Sequence, residues 1–246
     1  LTEMVMKRLH IFLIVLCLAI LATVFRSHLR RALVPAIQTL RGKKTVSDHL
    51  SEYGQTVRQR LHPYFQAVKM SYPPGRIVLV GLKQEKRLEV WACGSDGQFK
   101  FIRAYPILAV SGRLGPKLRE GDCQVPEGLY RIESLNPNSM FHLSLRIDYP
   151  NDFDRNQAKR DGRVNLGGDI MIHGGSTSIG CLAMGDEAAE DLFVLAAQTG
   201  IENVSVILSP VDFRVTDLPE LTYALPHWAD ILYSEIEHEL LRLRTK

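Results

Sequence analysis

Cysteine is scarce in this chain: four residues in 246, with no CxxC pair among them. That excludes a dense disulfide framework and the common zinc-site spacings. Cys17 lies in an apolar run; Cys93 and Cys123 could pair in an oxidising compartment, though their unremarkable places favour two separate thiols. Only Cys181 shares a short loop with other chemistry-bearing residues. A strong net charge is also missing. Lys and Arg total 30 against 27 Asp and Glu, for a net +3. The small excess is local: residues 1–60 hold ten basic and three acidic residues, and the remainder holds 20 and 24. No basic excess covers the rest of the chain, which argues against nucleic acid as a partner and points to a membrane-proximal N-terminal segment.

Long hydrophobic runs are limited to one. Ile11 to Phe25 carries no charge, follows Lys7 and Arg8, and ends at Arg26. With Leu9 and His10 it is just long enough to span a membrane as a helix. Residues 1–26 therefore read as a signal-anchor or a signal peptide. No small-x-small cleavage site precedes Arg26, and Cys17 lacks the small residue before it that a lipoprotein signal needs, so the anchor is the preferred reading. The charges point the other way. Arg26, Arg30 and Arg31 outnumber Lys7 and Arg8, which favours a cytoplasmic C-terminal region.

What is present is a loop. Ile170-Met171-Ile172 reads as the end of a buried strand, His173 closes it, and Cys181 follows eight residues later across Gly174-Gly175-Ser176-Thr177-Ser178-Ile179-Gly180. A thiol becomes a nucleophile when a base lies nearby. His173 is the candidate general base and acid, Cys181 the candidate nucleophile, and the N–H groups of Gly180 and Cys181 are candidate oxyanion donors. No carboxylate is near in sequence to orient His173. A carbonyl near Gly174 or Gly175, or a hydroxyl of Ser176, Thr177 or Ser178, is left for that task. Asp186 reads as the cap of a helix that follows. A metal site is the weaker reading, because the loop has no second histidine.

These residues, with several others in order, resemble a known family. His173 and Ser178-x-Gly180-Cys181 are similar to the signature of the YkuD-type L,D-transpeptidase catalytic domain. Leu114-Gly115-Pro116-Lys117-x-x-x-Gly121-Asp122, Pro126-Glu127-Gly128-x-Tyr130, Leu135-Asn136-Pro137-Asn138-Ser139, His142-Leu143-Ser144 and Tyr149-Pro150-Asn151 resemble its YafK-like branch. Ile179 stands where many members of the wider family have a histidine, and the spacer after His173 is short, as in that branch. The resemblance implies a cysteine enzyme acting through a thioester on diaminopimelate-containing stem peptides of peptidoglycan, without metal or organic cofactor. An amine acceptor gives transpeptidation. Water gives hydrolysis, including release of a wall-attached lipoprotein. The implied location is the bacterial cell envelope, outside the cytoplasmic membrane, with the N-terminal segment in the membrane. A non-catalytic peptidoglycan-binding module and a cytoplasmic thiol hydrolase are the rivals.

The remaining pattern predicts a mainly β fold, a sandwich or open barrel decorated by helices. Residues 27–74 read as a basic linker and an amphipathic helix from Ser47, capped by Ser47 or Asp48, with Leu50, Tyr53, Val57, Leu61, Tyr64, Phe65 and Val68 as its stripe. Residues 75–210 read as the catalytic domain. Its strands are Arg76–Leu82, Arg87–Cys93, Phe99–Pro106, Gly128–Ser134, Met140–Ser144, Ile170–His173 and Val204–Leu208. Residues 211–246 read as a helical extension, helical from 218, that Pro226 interrupts or whose second part it opens. Residues 111–122 and 145–168 read as polar loops. From these, Lys117, Arg119 and Arg155, with Arg113, Arg146, Lys159, Arg160 and Arg163, are candidates to meet stem carboxylates; Tyr149 is a candidate to shape the cleft, and Asp154, Asp161 and Asp169 to hold an amine.

Overall fold

The computed structural model describes residues 42–94 and 96–243. The apolar run at 11–25 and most of the basic linker lie outside the described residues. Among the described residues no helix is long and apolar enough to cross a membrane.

β1 (Arg76–Leu82) is buried at every position after the first, because both of its faces are covered. Ile77 and Leu79 face one core, built with Val57, Leu61 and Phe65 of α1 (Val46–Ala67) and with Leu192, Phe193 and Leu195 of α3 (Asp186–Thr199). Val78, Val80 and Leu82 face a second core with Trp228, Leu232, Ile236 and Leu240, most of them on α4 (Ala229–Leu241). Such two-sided burial explains why this strand reads as a continuous apolar run.

β2 (Arg87–Cys93) and β3 (Phe99–Pro106) extend the sheet from β1 as antiparallel neighbours. On its other side β1 pairs in parallel with β9 (Val204–Ser209). β5 (Gly128–Ser139) then joins two regions. Its start pairs with β9, and the rest pairs with β6 (His142–Ile147) through two register shifts. Pro137, which has no N–H for a ladder, lies at the second shift. β7 (Met171–His173), β8 (Leu182–Ala183) and β4 (Ala109–Val110) complete the order β3-β2-β1-β9-β5-β6-β7-β8-β4. The expected mainly β fold with helices is present, as one open sheet with β3 and β4 as its edges.

Several boundaries differ from the sequence pattern. Thr45 caps α1, not Ser47 or Asp48: its hydroxyl accepts the Asp48 N–H while Asp48 reaches back to the Thr45 N–H, a reciprocal capping box. Residues 145–168 are not all loop. α2 (Asp152–Arg160) starts there with a second capping box, between Asn151 and Asp154. The C-terminal helix begins at Ala229 rather than 218, and Pro226 opens it, its carbonyl accepting the Ala229 N–H. β4 and β8 are only two residues long, too short for a periodicity to reveal. Cys93 is a buried free thiol on β2, and Cys123 is an exposed free thiol.

One buried ion pair ties the 113–127 loop to the cores. Lys83 Nζ lies 2.7 Å from Glu127 and also donates to the carbonyls of Arg113, Gly115 and Val125. The other Glu127 oxygen accepts from Tyr233 on α4 at 2.7 Å, and Glu127 also accepts the Gly115 N–H. Removing one partner of such a pair strands a charge in the interior. Glu127→Leu is expected to lower stability by about 3–5 kcal/mol, read as a lower urea midpoint at unchanged slope. Lys83→Met combined with Glu127→Leu is expected to recover part of that loss; a double variant no more stable than Glu127→Leu contradicts this account.

Candidate active site

β7 and β8 run parallel with Ile172 opposite Leu182 and His173 opposite Ala183. Ile172 and Leu182 are fully buried in the main core. Alternation along β7 turns His173 to the other face, and Cys181, one residue before β8, brings its thiol to the Met171 N–H of β7 at 3.4 Å. The two sequence candidates thus lie on one face of adjacent chains, at diagonal positions.

The imidazole is oriented by backbone. His173 Nδ1 lies 2.6 Å from the Gly174 carbonyl oxygen. A carbonyl only accepts, so Nδ1 carries the proton and Nε2 presents a lone pair. The ring lies 4.7 Å from that of Phe141. Burial lowers the pKa of His173, and the Gly174 hydrogen bond opposes that only partly. The Cys181 thiol donates to the Asp169 carbonyl at 3.5 Å and accepts the Met171 N–H at 3.4 Å. Burial raises its pKa, Met171 opposes, and the Asp169 charge adds to the rise. At neutral pH both groups rest uncharged. They make no hydrogen bond to each other; each is satisfied by backbone.

Both candidate oxyanion amides are engaged by hydroxyls. The Gly180 N–H donates to Ser111 Oγ at 2.5 Å, and the Cys181 N–H donates to Ser178 Oγ at 2.9 Å. Ser178 also donates to the Cys181 carbonyl at 2.7 Å. Ser178 therefore staples the Cys181 backbone and does not orient His173, because its two hydrogen bonds close on its own loop. Ser176 is exposed and does not orient His173, whose Nδ1 is held by the Gly174 carbonyl. Gly185 caps α3, and Asp186 does not: its carboxylate accepts the Gly175 N–H at 2.8 Å and orders the loop instead. Ser111, Phe141 and Asp186 were not legible as site residues. Ser111 and Phe141 come from elsewhere in the chain and only the fold brings them in, whereas Asp186 is near in sequence but reads as a helix cap.

The polar candidates separate. Tyr149 is buried against Tyr130, with its hydroxyl donating to the Leu166 carbonyl at 3.2 Å, so it supports the loops from behind and does not shape an open cleft. Lys117 is buried as well, 2.5 Å from Asp122, with a further bond to the Arg119 carbonyl. Arg155 binds Asp152 and the Pro150 carbonyl and lines a groove with Phe99, Leu129 and Arg242. Arg119 borders a cavity of about 830 Å³ together with Arg113 and Tyr223. Asp154 serves its helix cap, and burial pushes its pKa up to about 6. Asp161 accepts from Trp228 and Arg163. Asp169 pairs with Arg146 at 2.7 Å in a left-handed conformation, φ 56°. Among the described residues no cluster of His, Cys, Asp and Glu could hold a metal ion.

Residues 75–206 match the family described as YkuD, the L,D-transpeptidase catalytic domain. The chain belongs to this family. It is 34% identical over 140 residues to a protein of Escherichia coli strain K12 named "Putative L,D-transpeptidase YafK", covering 55% of this chain and 53% of that protein. The chain thus spans about half the length of the curated relatives it matches. Among solved structures, the helical cell shape determining protein Pgp2 of Campylobacter jejuni is 24% identical, with a TM-score of 0.45, covering 55% of this chain and 48% of that one. Bd1075 of Bdellovibrio bacteriovorus is 19% identical, with a TM-score of 0.41, covering 68% and 55%.

Two tests bear on this L,D-transpeptidase-type site. A Cβ on Gly174 would lie 2.6 Å from the Phe141 carbonyl oxygen and 2.8 Å from Asp186. Gly174→Ala is expected to shift the carbonyl that orients His173 and to reduce any His173-dependent turnover at least about tenfold; unchanged turnover contradicts that role. The second test is alkylation of Cys181 by iodoacetamide, followed by mass at its own peptide. The rate is expected to stay low near neutral pH and to climb through a pKa above the ordinary thiol range. A plateau already reached at neutral pH would mean a preformed thiolate.

Proposed function

We propose that this chain is a peptidoglycan L,D-transpeptidase that uses Cys181 as nucleophile on diaminopimelate-containing stem peptides. The observation that carries the reading is the shared face of His173 and Cys181, with the Gly174 carbonyl leaving Nε2 free as the base. Rotation about the Cys181 Cα–Cβ bond moves the thiol from the Asp169 carbonyl towards Nε2. His173 takes the thiol proton as sulfur adds to the amide carbonyl carbon, so the two neutral groups react without a standing ion pair. The oxyanion displaces the Ser111 and Ser178 hydroxyls from the Gly180 and Cys181 amides, because an anion is the stronger acceptor. The imidazolium then protonates the departing amine and the C–N bond breaks, leaving a thioester. An acceptor amine then attacks the thioester, His173 takes its proton and returns it to the departing Cys181 sulfur, and a new amide and the free thiol result.

Hydrolysis is the second reading. Ser176, Thr177 and Ile179 are exposed, with Ile179 at 77%, so the loop around the thiol is open to water. Water in place of the amine cleaves an existing link, including one to a wall-attached lipoprotein. Either reaction has its substrate outside the cytoplasmic membrane, so the same proposal sets the enzyme in the cell envelope, tethered or exported through its N-terminal segment.

The test is incubation with purified muropeptides, with and without an amine acceptor, read by mass spectrometry. Cys181→Ala is expected to abolish product, and His173→Asn to reduce kcat about 10²–10⁴-fold. Exchanged or cross-linked products support transfer, and water incorporation supports hydrolysis. Product that persists in Cys181→Ala rules out the thiol as nucleophile, and no product from any wall peptide returns the chain to a binding role. The active form needs a neutral imidazole, so kcat/KM is expected to fall in acid through a pKa below the ordinary imidazole range and to stay level until the thiol ionises above the ordinary thiol range. A narrow bell centred at neutral pH would contradict this proton inventory.

A further inference from the structure

The C-terminal segment builds one wall of a cavity that the family match does not include. The cavity, about 830 Å³, lies between the Gly112–Gln124 loop and Tyr223–Pro226, beyond residue 206 where the match ends. Its volume is in the range of small-molecule and peptide pockets. The segment is seated by specific contacts. Tyr223 donates to the Leu114 carbonyl at 2.7 Å, and the Arg113 guanidinium lies 3.7 Å from the centre of the Tyr223 ring. Gly115 has φ +125°, and a Cβ there would lie 3.1 Å from Leu225, so glycine lets the segment close on the loop.

The charges inside are unequal in their commitments. Asp122 is saturated by Lys117 and by the N–H groups of Leu118, Arg119 and Gln124, which hold its carboxyl below the usual range against its partial burial. Arg163 is taken by Asp161 and the Leu118 carbonyl. Arg113 and Arg119 have no acidic partner among the described residues. The cavity therefore offers two guanidinium forks, one of them stacked and pre-positioned, beside the apolar surface of Leu225 and Pro226.

This cavity also adjoins the thiol loop. Ser111, which accepts the Gly180 N–H, immediately precedes Gly112 of the lining. The Gln124 carbonyl lies 3.8 Å from where a Gly180 Cβ would stand. One loop separates the cavity from the backbone of Cys181. An extended peptide advances about 3.3–3.6 Å per residue, so a carboxylate one to three residues from the scissile amide reaches across that loop.

We propose that this cavity is a carboxylate subsite, in which Arg113 and Arg119 hold a free carboxylate of the acyl-donor peptide away from the scissile bond and Tyr223 positions Arg113. It rests on the peptidoglycan reading above. The test compares two donors in the full chain: a stem peptide with free carboxylates, and the same peptide with its non-scissile carboxylates amidated. Wild type is expected to favour the free-carboxylate donor about 10–100-fold in kcat/KM, mainly through KM. Arg113→Ala with Arg119→Ala is expected to erase the preference, and Tyr223→Ala to weaken it. Both arginines are exposed, so the arginine double variant is expected to keep the wild-type unfolding midpoint. No preference in wild type, or a preference surviving in the double variant, overturns the subsite. If wild type turns over neither donor, the catalytic reading fails separately, and calorimetric binding of the same two peptides to Cys181→Ala decides the subsite. Selective binding lost with the arginines supports it; equal or absent binding overturns it.

Discussion

Two strands of three and two residues run parallel although only eight residues join them, and the thiol site depends on that connection. Parallel neighbours in one sheet usually need a crossover of a dozen residues or more. Here the strands are so short that the chain has little distance to return. Gly175 and Gly180 take left-handed φ values of 74° and 92°, which let it double back inside the loop. Asp186 pins one end through the Gly175 amide, and Ser178 pins the other through both backbone groups of Cys181. The same turn that brings imidazole and thiol onto one face also supplies the carbonyl that chooses the histidine tautomer.

Burial sets the electrostatics of that face. Withdrawal from water disfavours both the imidazolium and the thiolate, and the nearby backbone groups only partly offset it. At rest the thiol is therefore a weak nucleophile, because the thiolate is the minor form near neutral pH.

Behind the thiol loop, the 111–127 segment is held from three sides. Lys83 and Glu127 anchor it to β1 and α4, Tyr149 braces Lys117 from below, and Tyr223 closes over Leu114. This segment carries Ser111 to Gly180 and exposes Arg113 and Arg119 on its other side. It links the Gly180 amide to the cavity wall, and Tyr223 ties the C-terminal segment to the same loop.

The sequence by itself determined the local elements. β1, β2 and β3 have the limits expected from their alternating and apolar runs, and the helix after Cys181 follows its helix-forming composition. It also determined the pairing of His173 with Cys181 in one loop, since a short connection keeps its ends together whatever the fold. Only the tertiary structure decided what those residues touch. Gly174 orients His173 and Ser178 does not. Tyr149 and Lys117 are buried supports, and Arg155 lies on a different groove from Arg119. The physical reason is range. Periodicity and capping act over three or four residues, whereas burial and hydrogen-bond partners depend on strand register across the chain, as when Ser111 meets Gly180. A polar residue in a loop reads alike whether it faces solvent, a ligand or a buried carbonyl, and only packing distinguishes them.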